Sequence, residues 1–153
     1  MRSRFVALVV VLLVSPIPAR SQTPDDQERC AAQAQKAFQE WENVSENVSK
    51  KVPLVETLSS DYESHYNTKI RKCLIVISGI STLTSGTGSV IISVALMDAA
   101  YEHYVYAYYI GISSPKKKEV PPLDCELIPT FPEKKICANR DEFDAFVAGY
   151  MEK

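Results

Sequence analysis

The chain has 153 residues, with 17 Lys and Arg against 19 Asp and Glu, a formal charge of −2. That length supports one domain with one core. The acidic balance argues against a general nucleic-acid binder, which needs a basic surface to meet phosphates.

The first residues read as an export signal. Arg2 and Arg4 precede an uncharged apolar run from Phe5 to Val14, and Pro16 and Pro18 lead into a small-residue region where cleavage after Ala19 or Ser21 fits. An apolar run of roughly 10 residues is half of what a spanning helix needs, so no stable membrane insertion is expected after cleavage. Residues 1–21 then form the signal and 22–153 a single disulfide-stapled domain. The removed segment carries Arg2, Arg4 and Arg20, so the formal charge of −2 falls by three, to about −5.

Asp25 and Asp26 suit a helix N-terminus, where carboxylates meet the positive end of the dipole. Cys30, Ala34, Ala37, Phe38, Trp41 and Val44 follow at helical spacing and predict one packed stripe. From Asn43 to Ser60 the chain is polar, holds Pro53, and reads as a loop. Cys73 to Ile77 is apolar on both faces and β-branched, as in a central strand buried on both sides. Ser89 to Met97 predicts a second strand, Asp98 to Glu102 a turn, and His103 to Ile112 a third strand dense in tyrosine. The stretch from Ser114 to Asp124, with Lys116 to Lys118, reads as an exposed loop. A short extended piece at Cys125 to Ile128 and a turn at Pro129 to Pro132 come next. Asn139 with Glu142 three residues on is a capping-box spacing, and Phe143, Phe146, Val147 and Tyr150 mark the apolar face of a closing helix. The expected fold is α+β, an antiparallel sheet of three to four strands flanked by an N-terminal and a C-terminal helix, with two disulfides.

Cys30, Cys73, Cys125 and Cys137 are an even set in a short exported chain, which reads as a disulfide framework in a secreted or periplasmic protein. Four cysteines allow three pairings. Cys30–Cys73 with Cys125–Cys137 is favoured, since it ties the first helix to the central strand and fixes the approach to the last helix. Oxidised cysteines are not nucleophiles, so thiol chemistry is not expected. No close cysteine pair with a nearby histidine suggests a metal, and no motif calls for a cofactor. Gly86-Thr87-Gly88 lacks a following Gly-Lys-Ser/Thr and reads as a hairpin turn.

Two surfaces stand out. Tyr104, Tyr106 and Tyr108 alternate along one strand and are expected to share a face, a row of phenol rings able to hold a sugar, a peptide or a protein. His65, Tyr66 and Asn67 form a polar, aromatic approach to the central strand. Set against recognition is a turn in which Asn67 bonds its neighbours' backbone. His65 and His103 are the only two histidines, so a small periplasmic hydrolase would need one of them as its base. The preferred reading is a non-catalytic binding or structural module of the cell envelope, its partner an envelope protein or glycan.

Three groups of residues carry a family resemblance. They are Cys30-Ala31-Ala32-Gln33-Ala34 with Phe38; Ser64-His65-Tyr66-Asn67 with Lys69, Lys72 and Cys73; and Asp141 to Val147 with Tyr150-Met151. In these the chain resembles a group of small exported bacterial proteins of uncharacterised function. The resemblance implies a secreted or periplasmic location and one helix-plus-sheet domain. It implies no activity and no catalytic residue.

Overall fold

The computed structural model describes residues 23–51, 55–83, 89–100, 104–113, 121–130 and 132–152. The expected export signal, His103, the Gly86–Gly88 turn and Lys116–Lys118 lie outside the described residues. Helix α1 (Pro24–Lys51) is followed by strands β1 (Val55–Asn67), β2 (Lys72–Leu83), β3 (Val90–Asp98), β4 (Val105–Ser113), β5 (Asp124–Thr130) and β6 (Glu133–Ile136), and helix α2 (Arg140–Met151) closes the chain. The six strands form one antiparallel meander in chain order.

Six strands among the described residues correct the expected three to four. The two outermost strands are the ones the hydrophobic pattern hides. β1 is mostly Ser, Thr and acidic residues, and β6 is Glu-Lys-Lys-Ile. Polar, charged edges keep a sheet from pairing with other chains, and they also erase the apolar alternation that marks a strand. The helix α1 also runs on to Lys51, through a stretch whose polarity predicted a loop.

One helix covers each face of the sheet. α1 lies on β1 and β2. Its Ala34 and Ala37 are buried with Ile75, Ile77 and Met97, and Phe38 and Trp41 pack at the margin. Alanines let the helix approach closely, and Trp41 sits near enough to Gly79 that a Cβ there would lie 3.5 Å from its ring. α2 covers the other face around Leu74, Leu96, Ala107, Tyr109, Leu127 and Phe143. Alternate residues of β2 thus enter opposite cores, which accounts for its continuous apolar run.

Two disulfides join the parts as expected. Cys30–Cys73 links α1 to the start of β2, with Cα atoms 5.2 Å apart, and Cys125–Cys137 links β5 to the residues before α2, at 5.4 Å. All four cysteines are buried. Such pairs form and persist in an oxidising environment. At the start of α2 the Oδ1 of Asn139 accepts from the Glu142 N–H at 2.9 Å, and Glu142 accepts in turn from the Ala138 N–H. The Asn139 cap expected from the sequence is therefore present, while Glu142 reaches one residue further back than a capping box requires, to Ala138 rather than to the cap's own N–H.

Candidate functional site

The tyrosines of β4 do not form the single row that alternation suggested. The β3–β4 register shifts between Leu96 and Met97. Val105 packs toward α1, while Tyr106 and Ala107 both pack toward α2. Tyr108 pairs with Ala95, whose side chain belongs to the α1 side, so its ring lies on the face opposite Tyr106. A bulge inserts one residue and breaks the period of two, and nothing in the apolar pattern announces it.

The bulge builds a different grouping. Tyr104 meets Tyr106 edge-on at 4.9 Å between ring centroids, and Tyr106 lies 5.4 Å from Tyr150 of α2. Phe146 extends the cluster at 5.0 Å from Tyr150. All four rings are half-buried. Burial pushes the Tyr106 phenol above its ordinary pKa, with the charge of Asp98 adding to the effect. Tyr150 is pushed up too, first by burial and then by Tyr104. These phenols stay protonated at neutral pH; the Tyr150 hydroxyl donates to the Pro129 carbonyl at 3.5 Å, which leaves its oxygen as an acceptor. Tyr108 instead donates to Asp124 Oδ2 at 3.1 Å on the other face.

His65, Tyr66 and Asn67 end strand β1. His65 is buried at 9% exposure and pairs with Leu74 in the β2 register. Asn67 closes the hairpin. Its Oδ1 accepts from the N–H groups of Lys69 and Ile70, and its Nδ2 donates to the Tyr150 carbonyl at 2.7 Å. The turn-capping role set out from the sequence is thus what Asn67 performs, with a tether to α2 added. Tyr66 donates its backbone N–H to Gln27 Oε1 of α1.

Tyr66 also lines a pocket of about 390 Å³ that no motif in the sequence marks. Its walls come from the first three turns of α1, the β1–β2 hairpin and the end of β3, and include Arg29, Gln33, Arg71, Lys72 and Asp98. The Cys30–Cys73 disulfide lies in its wall, so a covalent link holds its two sides together. Asp98 is almost fully buried, at 1% exposure. Its Oδ1 accepts from the Ala100 N–H, and Lys72 Nζ lies 2.8 Å from its Oδ2. That contact misses hydrogen-bond alignment, so it acts as an ion pair. The sequence signal was a lone carboxylate ending an apolar strand, a pattern also produced by ordinary turns.

Among the described residues no three His, Cys, Asp or Glu side chains gather as a metal site, and no helix is long and apolar enough to cross a membrane. Comparison with known protein families, curated proteins and solved structures finds no match.

Proposed function

We propose that this chain is an exported, non-catalytic binding module of the cell envelope, working in the periplasm or outside the cell. The observation that carries the reading is the aromatic cluster of Tyr104, Tyr106, Tyr150 and Phe146, assembled from a bulged strand and the closing helix. Half-buried rings with hydroxyls at their edge offer flat apolar area together with hydrogen bonding, which suits a glycan or an extended peptide. The two disulfides fit the proposed compartment. The competing reading, a small periplasmic hydrolase, would use His65 or His103 as its base, and His103 lies outside the described residues. The His65 ring is buried beside Leu74 and is not part of the pocket wall.

The test is a titration of the oxidised chain with soluble envelope glycan fragments and short peptides, followed through its tyrosine ring resonances. Perturbation centred on Tyr104, Tyr106 and Tyr150, and reduced in Tyr104→Ala, supports the reading. Perturbation spread evenly over the surface, or absent with every ligand, sinks it.

A further inference from the structure

We infer that the pocket between α1 and the β1–β2 hairpin is a binding site for a small molecule or chain end bearing a single carboxylate, held by Arg29 and Arg71. This goes beyond the aromatic surface and does not depend on it.

The charges decide the ligand. Three cations, Arg29, Arg71 and Lys72, line the pocket with two carboxylates, Asp26 and Asp98. Lys72 is committed to Asp98. Asp26 accepts from the Thr23 hydroxyl at 2.7 Å, and its backbone N–H is bonded to the same residue, so it belongs to the cap of α1. Arg29 and Arg71 have no ion-pair partner among the described residues, yet they face one cavity. Guanidinium groups match a carboxylate with paired hydrogen bonds. A net excess of one positive charge in the wall suits an anion of charge −1. A phosphate monoester, nearer −2, would meet the two fixed carboxylates with less to offset them.

Shape and rigidity support the same reading. A volume of about 390 Å³ exceeds what a bare inorganic ion fills and falls in the range of small-ligand sites. Gln33 and the Tyr66 side chain add neutral polar groups to the wall. The disulfide joining Cys30 to Cys73 fixes α1 against β2, so the two arginines are presented from elements that cannot drift apart. A preformed site of this kind loses less entropy when it binds. Arg71, in the pocket wall, holds a left-handed backbone, with φ of 55°.

The experiment is calorimetric titration of the oxidised chain with benzoate, with benzamide as the uncharged control and phenyl phosphate as the dianionic one. Saturable benzoate binding below about 10 mM is expected, with none for benzamide and weaker binding of phenyl phosphate. Arg29→Gln and Arg71→Gln each weaken it about tenfold, and the double variant abolishes it. Backbone resonances at residues 29–33 and 66–73 should shift in the unsubstituted chain, which decides the matter even if a variant folds poorly. No saturable binding, equal binding of benzamide, tighter binding of phenyl phosphate, or shifts that map elsewhere would each overturn the proposal. Tyr104→Ala should leave benzoate binding unchanged, so failure here and failure of the aromatic surface are told apart.

Discussion

Lys72 reaches the mouth of a pocket while the carboxylate it pairs with, Asp98, is buried beneath it; the two are 2.8 Å apart, at 41% and 1% side-chain exposure. A buried carboxylate without its cation is costly, whereas replacing a whole pair can be close to neutral. Lys72→Met should therefore lower stability by about 2 kcal/mol, below the usual cost of a broken buried pair because Lys72 is partly solvated. Adding Asp98→Asn keeps an acceptor for the Ala100 N–H and removes the charge. The double variant should recover more than half of the loss in urea unfolding. Equal losses in the single and double variants would mean the pair is not what holds Asp98.

The parts of this fold visible in the sequence are those where chemistry acts locally. Asn139 and Glu142 are three residues apart and cap the helix they predicted. The run Cys73 to Ile77 is apolar because two cores demand it. What stayed hidden depends on partners far along the chain. β1 is a strand because β2 pairs with it, although residues such as Ser59, Ser60 and Asp61 show no apolar period. The Tyr104 to Tyr108 row failed on one inserted residue opposite Leu96 and Met97. The pocket joins Arg29 to Arg71 through a disulfide whose halves lie 43 residues apart. The favoured pairing of Cys30 with Cys73 already brings Arg29 and Arg71 near each other, but no local pattern shows that they line one cavity.

The two disulfides should differ in what they contribute. Cys30 and Cys73 are 43 residues apart in sequence, Cys125 and Cys137 only 12. In the chain-entropy account the longer loop restrains the unfolded chain more, about 4 kcal/mol against about 3. Cys30→Ala/Cys73→Ala should accordingly shift the urea midpoint further than Cys125→Ala/Cys137→Ala. It should also weaken the benzoate binding expected of the pocket. The short-loop variant should spare that binding, and the reverse pattern would contradict the stapling role given to Cys30–Cys73.

Tyr109 lies across Gly111 on the α2 side of the sheet, where a Cβ on Gly111 would stand 2.7 Å from a ring carbon of Tyr109. The ring is 8% exposed and packs 5.7 Å from Phe143, so it has little room to yield. Gly111→Ala should cost about 2 kcal/mol, in the range of overpacked cores. Because the clash is with the ring, Tyr109→Leu combined with Gly111→Ala should cost less than the sum of the two single changes. Strict additivity in chemical denaturation would show that the glycine serves some other purpose.

Tyr108 should make the fold sensitive to alkali. Its phenol is pushed from 10.0 up to about 12, first by burial and then by its hydrogen bond to Asp124, with the charge of Glu126 close by. In the unfolded chain the same group ionises near its ordinary value. Between pH 10 and about 12 the folded chain therefore binds more protons than the unfolded one, and stability falls as pH rises. Below pH 10 the contribution is fully present. Tyr106 and Tyr150 are raised as well, so the loss in the unsubstituted chain has several sources. Tyr108→Phe removes one of them. Urea unfolding across this pH range should show a shallower decline for the variant, and absorbance titration should lack the phenol that ionises near pH 12. A decline as steep as that of the unsubstituted chain would mean that Tyr108 ionises like an ordinary surface tyrosine.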